Sequence, residues 1–189
     1  MKKSTKRILN VGCGNDTYGT HFIDLYPTRK EVIKCNVDKD KFPFPDNYFD
    51  EVYSKCLFEH LRNPLHFLKE SYRVLKKGGR IVIITDNAAF WEFHVFGTHS
   101  KPKIPLKRLH FYDGRGEWDT HYALYTPEHL VNHLRASGFR ILEVKYISFP
   151  DDEELGAFRP LLDVICKILI LTRIFDRFGY PRIKIIGEK

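Results

Sequence analysis

The sequence predicts one α/β domain, a largely parallel β-sheet with helices on its faces. Three observations carry that expectation. Short apolar runs alternate with amphipathic runs or loops through the first half of the 189 residues. RIVIITD (80–86) is nearly continuous in apolar, mostly β-branched residues, as a strand buried on both faces should be. Glycines and acids stand just after the apolar runs, where open parallel sheets bind ligands. A chain of this length can build a single core, and its 43% hydrophobic and 29% charged residues are ordinary for a globular protein.

The elements follow in order. RILNVG (7–12), HFIDLY (21–26), EVIKCNV (31–37) and FDEVYSK (49–55) read as four strands. NPLHFLKESYRVLKKGG (63–79) reads as a helix, because Leu65, Leu68, Tyr72 and Leu75 recur at three- and four-residue spacing and two glycines close it. RIVIITD is a fifth strand. Residues 87–125 break the pattern with an aromatic, histidine-rich insert. TPEHLVNHLRASGF (126–139) restores a helix, with Thr126 as N-cap, Pro127 in the first turn and Gly138 at the end. FRILEVKYI (139–147) is a sixth strand, PLLDVICKILILTRIFDRF (160–178) an apolar helix and RIKIIGEK (182–189) a last strand.

The first glycine motif decides what kind of ligand fits. Gly12-Cys13-Gly14 follows strand one, and Asp24 comes after only nine intervening residues, 15 to 23. A dinucleotide site needs a helix there, with its N-terminus turned to a pyrophosphate and an acid about 20 residues on. No such helix fits, which argues against NAD(P) and FAD. An acid ending strand two can accept hydrogen bonds from both hydroxyls of a ribose, and Asp38 after strand three can accept one from an adenine amino group. Taken singly, each feature is equally an ordinary turn.

Together they reach a family. ILNVGCGN…HFIDLYP…NVDKDKFPFPDNYFDEVYSKCLFEHL…VLKKGGRIVIIT resembles the class I S-adenosylmethionine-dependent methyltransferases, in particular their small type-11-like branch. The resemblance covers 7–86 well and 120–147 loosely. It implies a Rossmann-like sandwich whose seven-stranded, mostly parallel sheet has its last strand antiparallel, with RIKIIGEK inserted beside strand five and the first crossover helix reduced. It also implies S-adenosylmethionine as cofactor, whose sulfonium is positive and needs no phosphate-binding helix. Gly12, Cys13 and Gly14 would lie under the methionine and ribose. Asp24, with Leu25 beside it, would hold the ribose hydroxyls. Asp38 would take the adenine amino group and the Lys39 amide the ring nitrogen, while Ser54 and Lys55 would line the methionine side.

The acceptor is less legible. Methyl transfer is an in-line displacement in which positioning supplies much of the rate. A base is needed only for a weakly acidic hydroxyl or a protonated amine. His60 and His121 are the candidate bases, with His94, His99 and His110 also in the insert. No metal is expected, since no HxxxH spacing or cysteine partner is present. Lys101, Lys103, Lys107, Arg108 and Arg115 stand among Phe90, Trp91, Phe93, Phe96, Phe111, Tyr112 and Trp118, which suits a lid over a small-molecule, glycan or lipid-linked acceptor and equally a grip on RNA. The Asn/Asp-Pro-Pro-aromatic signature of RNA amino-methyltransferases is missing after strand four. A non-catalytic cofactor-binding protein on the same fold is the remaining alternative.

Net charge +7 favours anionic partners without choosing among them. Cys13, Cys35, Cys56 and Cys166 are scattered, and no signal-peptide pattern follows the basic N-terminus, so reduced thiols and a cytoplasmic location are expected. The 160–178 run is interrupted by Lys167 and Arg173, which rules out a transmembrane span. Its broad apolar face is expected either to cover sheet surface bared by the short first crossover or to rest peripherally on a membrane.

Overall fold

The computed structural model describes residues 6–96, 120–148, 159–172 and 175–189. Seven strands form one sheet: β1 (Ile8–Val11), β2 (His21–Asp24), β3 (Val32–Lys34), β4 (Phe49–Lys55), β5 (Leu75–Asp86), β6 (Arg140–Ile147) and β7 (Arg182–Glu188). Their order is β3-β2-β1-β4-β5-β7-β6. The pairs from β3 to β5 are parallel, and β7 runs antiparallel between β5 and β6. The helices are α1 (Pro64–Val74), α2 (Trp91–Phe96), α3 (Pro127–Ala136), α4 (Arg159–Leu171) and α5 (Asp176–Gly179). This is the Rossmann-like sandwich that the resemblance implied.

Register explains the core. Leu9 pairs with Val52, Val52 with Ile81 and Ile81 with Gly187, so these residues share one face of the sheet. Val11, Ile23, Ile83, Ile183 and Ile185 lie in the same fully buried cluster as Phe67 and Leu68 of α1 and Leu130 and Leu134 of α3. Contact is close enough that a Cβ on Gly187 would meet Leu134 Cδ2 at 3.0 Å. Both helices start as the sequence suggests. Asn63 caps α1 by accepting the His66 N–H, and Thr126 caps α3 by accepting the His129 N–H.

The opposite face carries Asn10, Glu51 and Tyr53, where the first crossover helix would lie in a doubly wound fold. Here the loop 12–20 covers it directly. Tyr18 sets its ring 4.6 Å from that of Tyr53, and its hydroxyl donates to Glu51 at 2.7 Å. Asn10 Nδ2 donates to the Tyr18 carbonyl at 3.0 Å. Lys6, 2.6 Å from Glu51, supplies the cation that the buried carboxylate needs.

Two boundaries differ from the sequence expectation. First, α1 stops at Val74, and LKKGG belongs to β5. Leu75 is fully buried opposite Phe49, and the Gly78 N–H, at φ +77°, donates to the Lys189 carbonyl. The glycines therefore shape the entry to a strand rather than end a helix. Second, the 160–178 run is two helices. The chain turns after Leu171 so that Gly179 lies against α4, where a Cβ would meet the Cys166 carbonyl at 2.7 Å. Of the 87–125 insert, Phe90 is buried and α2 is helical, while its basic residues lie outside the described residues.

The apolar face of α4 is not spent on the sheet at the positions the sequence suggested. Val164 is 52% exposed, Ile168 56% and Leu171 78%. No described helix is long and apolar enough to cross a membrane. Ile168→Asp should therefore change folding stability by no more than about 0.5 kcal/mol, the usual range for exposed sites. Leu134→Ala, at a fully buried position, should cost about 2–5 kcal/mol. Urea denaturation of both variants checks the pair, and a loss above about 2 kcal/mol for Ile168→Asp would show that face to be covered.

Candidate active site

Three loops at the carboxyl ends of β1, β2 and β3 meet in one cleft. Gly14 takes a left-handed φ of +49° and turns its N–H to Asp24 Oδ2 at 2.9 Å. Tyr26 N–H donates to Asp24 Oδ1 at 2.8 Å. A carboxylate has about four lone-pair sites, so two remain to accept hydroxyls. Among the described residues, no atom would lie within 4 Å of a Cβ on Gly14, which leaves that side of the loop open to a ligand. Gly12 has a different reason. A Cβ there would meet Leu57 Cδ1 at 2.7 Å, so this glycine admits the side chain that follows β4.

The cleft beside Asp24 has a volume of about 730 Å³. That is ample for a nucleoside-sized ligand. Asp24, Leu25, Asp38 and Lys39 line it with His60, Leu57 and Tyr122. Asp38 Oδ1 accepts the Asn63 N–H at 2.9 Å, leaving Oδ2 for a ligand donor. The Lys39 N–H instead closes a turn on the Asn36 carbonyl at 3.1 Å, so the ring-nitrogen contact implied for it is not prepared. A second hollow of about 660 Å³ adjoins the first across Gly12, Gly14 and Cys56. Cys13, Asn15, Asp16, Lys55 and Arg182 line it. Burial and the nearby Asp24 carboxylate push the Cys13 thiol up to about 11, which keeps it protonated.

Ser54 departs from its expected role. Its side chain is fully buried, its hydroxyl has no hydrogen-bond partner among the described residues, and it lines neither hollow. Register explains the difference, because Ser54 pairs with the core residue Ile83, while Lys55, one residue on, points to the other face.

Beyond the carboxyl ends of β4 and β5 lies a cluster of ionisable groups. Cys56 leaves β4 at φ +51°, uncommon for a residue with a Cβ and a form of strain that gathers at functional sites. A 3₁₀ turn over Phe58–His60 follows. Glu59 is 1% exposed, and its Oε2 accepts the Thr85 hydroxyl at 2.7 Å. Burial raises its carboxyl above the usual range, while the Thr85 bond and Arg182 oppose that shift. The Glu59 carbonyl accepts the Tyr122 N–H at 2.8 Å, which lays the chain around residue 121 over the turn. His60 and His121 thereby come together, their ring centroids 4.6 Å apart. His60 Nδ1 donates to the Thr120 carbonyl at 3.1 Å. His121 Nε2 lies 3.8 Å from Asp86 Oδ2, and Arg182 Nε lies 3.7 Å from the other oxygen of Asp86.

The two candidate bases thus share one site although 60 residues separate them, and His60 opens it to the cleft beside Asp24. His94 bonds the Ala88 carbonyl and is exposed, while His99 and His110 lie outside the described residues. Sequence reasoning placed Asp86 at the ligand-binding end of strand five without a role, and missed Cys56, Glu59, Thr85 and Arg182. Glu59 was visible as an acid just past a strand. Arg182 carried no signal, because its place depends on β7 entering between β5 and β6.

Comparison with known proteins agrees with this geometry. Residues 9–83 match the family model described as a methyltransferase domain. A tRNA U34 carboxymethyltransferase of Pseudomonas fluorescens is 32% identical over 42% of this chain and 32% of its own. Phosphoethanolamine N-methyltransferase 3 of Arabidopsis thaliana is 26% identical over 63% of this chain and 26% of its own. The chain thus spans about a third or less of these two relatives. A solved S-adenosylmethionine-dependent methyltransferase of Archaeoglobus fulgidus superposes with a TM-score of 0.62 at 20% identity, covering 99% of this chain and 87% of that one. Residues 9–83 thus match a methyltransferase domain, and the strand order with its antiparallel β7 is the fold of solved class I S-adenosylmethionine-dependent methyltransferases.

Proposed function

We propose that the chain transfers the methyl group of S-adenosylmethionine to an oxygen or nitrogen of a small-molecule, glycan or lipid-linked acceptor. One observation carries this reading: His60 lines the cleft that holds Asp24 and Asp38, and it also belongs to the buried cluster with Glu59 and His121. Cofactor and acceptor proton would then meet at one wall. The cofactor's ribose would bond the two remaining lone-pair sites of Asp24, and its adenine amino group would bond Asp38 Oδ2. The methionine end would extend over Gly14 toward Lys55, whose ammonium suits a carboxylate. The acceptor enters from the side of residues 120–123, where Tyr122 is fixed by Arg62.

In the transfer, a lone pair of the acceptor forms the bond to the methyl carbon, and the carbon–sulfur pair stays on sulfur. The acceptor's proton leaves by way of the cluster. The relatives include a tRNA carboxymethyltransferase and a phosphoethanolamine N-methyltransferase, so RNA is the second class of acceptor to test. Label from S-adenosylmethionine in a cell extract should enter small molecules or lipids. Label in RNA would replace the acceptor proposed here.

Asp24→Ala should weaken adenosylhomocysteine binding by about 1.5–3 kcal/mol, roughly 10- to 160-fold, the range for hydrogen bonds to a charged group. Ser54→Ala should leave that affinity unchanged, since its hydroxyl is sealed in the core. Calorimetry reads both, and unchanged binding in the Asp24 variant, or tighter binding of NADH than of adenosylhomocysteine, would reject the cofactor assignment.

A further inference from the structure

We propose that Glu59, His60 and His121 form a site for one divalent first-row transition cation on the acceptor side of the cleft. The proposal rests on the methyltransferase reading for the ion's use, not for its binding.

Each of the three residues offers a donor atom, and these atoms all lie within 4.8 Å of one another. Two imidazoles and a carboxylate are a donor set suited to zinc, iron, cobalt or manganese, and three protein ligands leave positions open for a substrate. Two of the three ligands have what metal ligands usually have, an oxygen partner that fixes the ring or carboxylate, and a carboxylate stands near the third. His60 Nδ1 donates to the Thr120 carbonyl, which makes Nε2 the lone-pair atom of the neutral ring. Asp86 stands 3.8 Å from His121 Nε2, and Thr85 holds Glu59 Oε2. Glu59 is also within such reach of donors on Cys56 and Asp86, so further ligands are at hand.

Charge points the same way. Glu59 is 1% exposed and the Asp86 side chain 15%, and the guanidinium facing both is that of Arg182. A dication bound by the two imidazoles would hold both shielded carboxyls in their ionised form, against the burial that favours the neutral one. His60 reaches the cleft, so an open position on the ion would face the acceptor. An acceptor hydroxyl bound there would give its proton to water more readily. Its oxygen pair would then form the bond to methyl as the carbon–sulfur pair returns to sulfur.

The test titrates the chelator-stripped full chain with cobalt(II) chloride. Visible ligand-field bands should grow to one ion per chain, and both His60→Ala and His121→Ala should abolish them. Thr85→Val, which removes the hydroxyl that steadies Glu59, should weaken cobalt binding about 10-fold. If alanine at either histidine unfolds the chain, His60→Gln and His121→Gln carry the same comparison. No bands in the wild type, or the same bands and stoichiometry in the folded double variant, would overturn the site and leave the ion to surface histidines. Adenosylhomocysteine binding, measured without metal, reports separately on the methyltransferase reading. Its absence beside intact cobalt bands would sink that reading and keep the metal site.

Discussion

The bond from the Gly14 N–H to the Asp24 carboxylate is the constraint around which the cleft at the ends of β1 to β3 is arranged. It ties the end of β1 to the end of β2 directly, so the chain needs no helix to bring them into register. The acid is oriented by two backbone donors before any ligand arrives, so little ordering is left to be done on binding. The short connection then lies flat on the sheet, with Tyr18 filling over Tyr53 the space that a helix would take. Much of the second hollow follows from that economy, since a helix over Asn10 and Arg182 would fill it.

The cluster beyond β4 and β5 depends on a different kind of constraint. Glu59 brings residues 122 and 123 to its carbonyl and Thr85 to its carboxylate, joining three distant stretches of chain at one buried residue. Burying an acid is costly unless every such partner is present, so the cluster is assembled fully or not at all. This suits a site where two histidines must be held near one another at fixed spacing.

How much of this was legible follows from how local each signal was. The strands, the caps at Asn63 and Thr126 and the acids at Asp24 and Asp38 are readable because a few neighbouring residues determine them. Of Ser54 and Lys55, both expected on the methionine side, alternation along β4 sends Ser54 to the core and Lys55 to the second hollow. The LKKGG stretch read as a helix end because its glycines resemble a C-cap, but its pairing partners, Phe49 and Lys189, are remote in sequence. The His60–His121 pair has no spacing rule at all. Its members meet through the backbone of Glu59, which periodicity does not report.

Arg182 belongs to β7, the strand that enters the sheet last in chain order yet sits between β5 and β6. A growing chain therefore exposes one long edge of β5 while everything up to β6 is already made. Until β7 fills that gap, the Asp86 carboxylate lacks its guanidinium and β6 has no neighbour. Unpaired strand edges invite association with other chains, and pairings between distant residues form slowly. Synthesis of this protein thus passes through a stage in which the nucleoside half of the cleft can be complete while the sheet is still open beside it. A ligand bound beside Asp24 would stabilise that part first, and the cluster around Glu59 would be completed when β7 arrives.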